Sequence, residues 1–143
     1  MKSIQRLACI LAVLILIAAA EAQTVRLPVE ITNTGVFVTV EVNSNPVRLL
    51  IDTGATNTVV TPRAAHFAEA TLQKSFVTEG HTKQDVSFAV TDVKVGDRQF
   101  PNILVVVTSL NSKVGDGLLG QNVLRLFKSF TLDYNEKTLV LVK

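Results

Sequence analysis

Asp52 is the residue of this 143-residue chain best placed to do chemistry. It ends the apolar run Leu49-Leu50-Ile51 and opens Asp52-Thr53-Gly54-Ala55-Thr56, a sharp turn of small and hydroxyl residues. A carboxylate delivered there by a buried strand loses hydration unless hydrogen bonds or a second titrating group compensate, so its position calls for a reason beyond folding. The plainer reading is an Asx turn, in which the side chain bonds the backbone amides that follow. The two readings share their bonds, because the contacts that close such a turn also orient the carboxylate. Roughly one chain in twenty of this length holds an Asp-Ser/Thr-Gly by chance, so the single tripeptide depends on its surroundings.

Other candidate chemistry is sparse. Asp116 lies between Gly115 and Gly117 with no Thr-Gly after it, which reads as a loop acid rather than a second copy of the motif. His66 and His81 are the only histidines. Without thiols or a spaced carboxylate cluster they do not form a metal-ligand pattern, so neither metal nor cofactor is expected. Neither follows a serine or cysteine nucleophile pattern. Basic residues are scattered and the net charge is +2, too small to suggest a nucleic-acid partner, and none is expected.

The elements that must position Asp52 are short strands. Val25, Leu27, Val29 and Ile31 alternate with polar residues, and Pro28 marks this segment as an edge strand. Val36, Val38, Val40 and Val42 alternate next, and Asn43-Ser44-Asn45 turns the chain into 47–51, whose last three residues are expected to be buried on both faces. Residues 58–61 are extended, and Thr61-Pro62 caps a short helix over 62–70. The polar stretch 78–84, with Glu79-Gly80-His81, reads as a hairpin tip. Strands 86–95 and 100–107 are joined by Gly96-Asp97. Gly115-Asp116-Gly117 leads into Leu118-Leu119-Gly120, a short helix follows near 122–127, and strands 130–134 and 138–142 flank Asn135-Glu136-Lys137. The sum is a mostly β domain, a small closed barrel with one or two short helices.

Lys2 and Arg6 precede an apolar run over 7–20 that ends in Ala20-Glu21-Ala22, the layout of a secretory signal peptide. Residues 1–22 are therefore read as the signal and 23–143 as the domain, exported to the periplasm or secreted. The alternative is a membrane anchor over 7–20, though a bilayer core calls for about 20 apolar residues. Cys9, the one cysteine, lies in this segment and leaves with it, so the mature domain has no disulfide. Without Lys2, Arg6 and Glu21, the 14 basic and 12 acidic residues fall to 12 and 11.

Two hydrophobic residues, Asp-Thr-Gly-Ala, and a distal Leu118-Leu119-Gly120 make the chain resemble the retropepsin-like aspartic proteases from about residue 35 to its end. The resemblance implies a barrel of that family's type. It also implies an aspartic endopeptidase, in which two carboxylates share one proton because like charges in contact cannot both ionise. One acts as base on a water while its protonated partner polarises the scissile carbonyl. Since the chain carries one such aspartate, the resemblance implies a homodimer with Asp52 from each subunit at a two-fold axis. Position by position, Thr53 would tie the two turns together across the axis, Gly54 would allow close backbone approach, and Ala55 and Thr56 would shape the turn. Leu118, Leu119 and Gly120 would brace it from beneath. The hairpin at Glu79, Gly80 and His81 resembles the family's flap, which closes over an extended peptide or protein substrate and pairs with it as an added strand. The last strand would join the dimer interface. Where many relatives carry a hydrophobic residue and then Asp after the Leu-Leu-Gly, this chain has Gln121-Asn122, a change expected to alter bracing contacts more than chemistry. The alternative function is an inactive peptide-binding or assembly module on the same barrel, and a third is a small β-barrel that holds an apolar ligand.

Overall fold

Alternating valines drive the hairpin before Asp52 together. In the computed structural model, which describes residues 24–65, 73–79 and 82–143, strand β2 (Gly35–Val42) pairs antiparallel with β3 (Asn45–Ile51). Asn43 and Ser44 form the two-residue turn with φ of 48° and 63°, the left-handed pair that matches the right-handed twist of the flanking strands. Val38, Val40, Val42, Val47 and Leu49 are buried in the core. Each side chain of this size contributes about 1.5–3 kcal/mol on full burial, which is what fixes the register.

Ten strands form one sheet, and six of them make a ring. The order runs from β5 (Gln73–Glu79) through β6 (Thr82–Val95), β7 (Arg98–Thr108), β4 (Thr58–Val60), β8 (Gly117–Leu119), β3 and β2. It continues through β1 (Thr24–Thr32) and β10 (Thr138–Val142) to β9 (Ser129–Asp133). A further pairing of β2 with β6, at Glu41↔Lys94 and Val42↔Val93, joins the ring. The Lys94 ammonium lies 2.8 Å from the Glu41 carboxylate across that seam, and Val42 and Val93 are fully buried beneath it. The β6–β7 hairpin turns at Gly96, whose φ of +61° suits glycine; a Cβ there would also lie 2.5 Å from Val25.

The structure corrects two expectations. β1 is not an edge strand, since residues 24–28 pair with β10 and residues 29–32 with β2. Pro28 sits where the strand changes partner, a place that tolerates its missing N–H. Of the three apolar residues before Asp52, Leu49 is fully buried while Leu50 and Ile51 are only half-buried, because the strand emerges there toward the exposed turn. Residues 62–65 form a turn started by the Ala65 N–H bond to the Thr61 carbonyl, 2.9 Å. The remainder of the expected helix with His66, the signal segment 1–22 with Cys9, and Gly80-His81 lie outside the described residues. A helix α1 (Gln121–Leu124) follows β8 directly. No described helix is long and apolar enough to cross a membrane.

Candidate active site

Strand β8 is inserted between β3 and β4, and this places the motif. β3 runs parallel to it with Leu50 opposite Leu118 and Ile51 opposite Leu119; β4 runs antiparallel with Val59 opposite Leu118. The segment from Asp52 to Asn57 therefore loops over the end of β8, where Leu118-Leu119-Gly120 lies. The Asp52 N–H donates to the Leu119 carbonyl at 3.1 Å, continuing the β3–β8 ladder by one residue. Leu119 is fully buried and Leu118 half-buried.

The turn is closed by its own carboxylate. The Gly54 N–H donates to Asp52 Oδ1 at 2.8 Å, and the Ala55 N–H to the Asp52 carbonyl at 3.3 Å. This is the Asx turn that the residue types allow. Among the described residues Gly54 is the one hydrogen-bond donor to the carboxylate, which is half-buried and keeps its second oxygen available. Thr53, Gly54 and Thr56 are exposed, and Ala55 is half-buried. The Thr53 hydroxyl has no hydrogen-bond partner among the described residues. A shallow groove runs from Thr53 and Gln121 past Leu124 and Phe127 to Phe130 on β9. Phe130 is 39% exposed despite its size.

Helix α1 holds the turn from the other side. The Gln121 N–H donates to the Ala55 carbonyl at 2.8 Å and the Asn122 N–H to the Thr56 carbonyl at 3.1 Å. The Gln121 side-chain amide donates to the Thr53 carbonyl at 2.6 Å. Asn122 Oδ1 accepts both the Thr58 N–H, 2.8 Å, and the Thr58 hydroxyl, 2.9 Å, while its amide nitrogen donates to the Leu104 carbonyl at 2.7 Å. The fully buried Thr58 hydroxyl in turn accepts the Gly120 N–H at 3.2 Å. Gly120 is demanded by close approach rather than by φ: a Cβ would sit 2.4 Å from the Asn57 carbonyl carbon and oxygen.

Residues 38–126 match the family described as "gag-polyprotein putative aspartyl protease". The chain belongs to that aspartyl protease family. The matched segment is well over half of the chain and contains Asp52, its turn, Leu118 to Gly120 and both polar residues of α1. Among solved structures the chain is similar to a retropepsin-like aspartic protease from Rickettsia conorii, with 22% identity over 82% of this chain and 88% of that one, TM-score 0.58. It is also similar to the retroviral protease-like domain of Ddi1 from Leishmania major, with 19% identity over 72% of this chain and 84% of that one, TM-score 0.53. At those identities the likeness shows the fold, which is retropepsin-like. No curated protein matches the chain.

Within this aspartyl protease fold the structure gathers Asp52, Thr53, Gly54, Ala55 and Thr56 with Leu118, Leu119 and Gly120 at one place. Glu79 lies elsewhere along the sheet, at the end of the β5–β6 pairing, opposite Thr82 in the register. Sequence reasoning undervalued three polar residues: Thr58, Gln121 and Asn122. Their signal was present, as a polar pair directly after an apolar Leu-Leu-Gly at the start of a helix and a threonine inside an otherwise apolar strand. The bonds that tie them to one another and to the turn span more than sixty positions. Asp116 is bound elsewhere: its carboxylate accepts the Arg48 N–H at 3.0 Å and lies 3.6 Å from the Arg63 guanidinium. Among the described residues no three His, Cys, Asp or Glu side chains come together to hold a metal ion.

Proposed function

We propose that the chain is an aspartic endopeptidase that works as a homodimer, with Asp52 of each subunit forming the catalytic pair. The observation that carries this reading is the Asp52 carboxylate itself, fixed through one oxygen by Gly54 and open at the other, on a turn that is exposed in the single chain. One such carboxylate cannot both activate a water and protonate a carbonyl oxygen in the same step. A second copy across a two-fold axis supplies the missing acid. One carboxylate takes a proton from the attacking water, and the other donates its proton to the scissile carbonyl oxygen as the tetrahedral intermediate forms. The exposed Thr53 and the groove reaching Phe130 support a second subunit at this face.

In the same reading, the β5–β6 hairpin with Glu79, Gly80 and His81 acts as the flap, and the substrate is an extended peptide that it covers as an added strand. Residues 1–22 direct export, to the periplasm or outside the cell, and the mature domain is 23–143. Asp52→Asn tests the central role, because an amide cannot serve as base. Peptide cleavage across acidic to neutral pH is abolished in the variant while its dimer, measured by sedimentation, persists. Undiminished cleavage by Asp52→Asn rejects the assignment, and a verified wild-type dimer that binds peptides without cleaving them favours the inactive binding module.

A further inference from the structure

The peptide group between Thr53 and Gly54 is held at both ends. Its oxygen, on Thr53, accepts the Gln121 side-chain amide at 2.6 Å, and its N–H, on Gly54, donates to Asp52 Oδ1 at 2.8 Å. Both atoms belong to one planar, conjugated unit, so the two bonds are not independent. A donor at the oxygen pulls electron density toward it and makes the N–H a stronger donor, by roughly 10–30% per bond in a hydrogen-bonded chain. The first bond also sets the tilt of the plane, and with it the direction in which the N–H meets the carboxylate.

Gln121 is launched from a rigid platform. It follows Gly120, which is packed against the Asn57 carbonyl and bonded to the buried Thr58 hydroxyl, and its own backbone N–H is bonded to Ala55. Residue 121 thus grips the turn at two carbonyls, on either side of Gly54. The side-chain contact, at 2.6 Å, is just below the usual range of about 2.7–3.2 Å for N–H···O bonds. Thr53 itself is exposed, so without Gln121 its carbonyl turns to water, a partner that fixes no direction.

We infer that Gln121 is a positioning residue for Asp52, acting through the 53–54 peptide to aim and strengthen the Gly54 N–H bond to the carboxylate. Its effect on turnover rests on the reading of Asp52 proposed above. Its effect on the peptide group does not, and the two are measured separately.

The test uses the ¹⁵N-labelled chain and three variants. Gln121→Met removes the donor at nearly constant size, Gln121→Glu is acceptor-only at neutral pH, and Gln121→Arg keeps a long donor. The Gly54 amide proton is expected to move upfield in the Met and Glu variants and to return toward its wild-type position in the Arg variant. The Gly120 amide, bonded to Thr58, should stay in place in all of them. Loss of one neutral hydrogen bond to the turn lowers kcat by roughly three- to tenfold, with KM held within about twofold, because the substrate's own contacts are untouched. A Gly54 amide that does not respond to Met or Glu overturns the inference. So does a Gly120 shift as large as that of Gly54, which marks general loosening. Wild-type protein that cleaves no peptide while Gly54 responds as described sinks the protease reading and leaves the relay standing.

Discussion

Replacing Thr58 by valine removes one buried hydroxyl from beneath the Asp52 turn, and the structure fixes what that does. The hydroxyl donates to Asn122 Oδ1 at 2.9 Å and accepts the Gly120 N–H at 3.2 Å, with Thr58 and Gly120 both buried. Valine keeps the shape, so the change isolates the two bonds. Asn122 Oδ1 keeps the Thr58 backbone N–H at 2.8 Å and is not orphaned; losing the hydroxyl bond there costs about 1 kcal/mol. The Gly120 N–H is left buried without an acceptor, at a cost of about 1–3 kcal/mol. The methyl that replaces the hydroxyl returns up to about 0.8 kcal/mol of apolar burial. The net loss is about 2 kcal/mol, which for a domain of this size lowers Tm by roughly 6–12 °C. Urea unfolding at one fixed protomer concentration measures it, since association raises apparent stability with concentration. Thr58→Ser keeps both hydrogen bonds and loses only a methyl, about 1 kcal/mol. A valine variant within about 0.5 kcal/mol of wild type, or a serine variant less stable than the valine one, refutes the reasoning.

Gly120→Ala drives a methyl to within 2.4 Å of the Asn57 carbonyl, a backbone group that cannot swing aside, so β4 and β8 must separate. The expected loss is about 2–3 kcal/mol in the same urea assay, with cleavage falling as the turn is displaced. Glu30 carries a pH-dependent contribution. The hydrogen bond from Arg48 Nε, 2.7 Å, holds its carboxyl below the ordinary value of 4.5, aided by the attraction of the guanidinium charge and opposed by desolvation. Because the folded value is the lower one, this stabilisation is complete above 4.5 and is lost as pH falls through the folded value. The difference in urea midpoint between wild type and Glu30→Gln should therefore be constant near neutrality and shrink on acidification below 4.5.

Local signals carried most of the strand framework. The hairpin turns at Asn43-Ser44 and Gly96-Asp97 are written in residues that accept left-handed backbone, and the valine alternation gives the buried face of β2. Asp52-Thr53-Gly54 and Leu118-Leu119-Gly120 were legible as types, and their meeting follows from the parallel β3–β8 register. Long-range register was not legible. Joining the ring through Glu41 and Lys94 pairs residues 53 positions apart, and nothing local to either strand specifies it. Pro28 misled because a missing N–H fits a change of partner within β1 as well as an edge. Gln121-Asn122 stood out as a change in bracing contacts, but which groups the pair braces was hidden for a related reason. Gln121 and Asn122 look like ordinary polar residues at a helix start, and only the fold brings them to Thr53 and Thr58.

The central claim is that each active site is built from two Asp52 side chains, one per subunit. Mixing wild-type and Asp52→Asn subunits, with full exchange at constant total protein, tests it most directly. Paired carboxylates require both subunits to be wild type, so cleavage should fall as the square of the wild-type fraction, to about one quarter at equal mixing. A linear fall, to about one half at equal mixing, would show that each Asp52 acts independently of its partner and would contradict the account, as would about three quarters, the value if one Asp52 per dimer suffices.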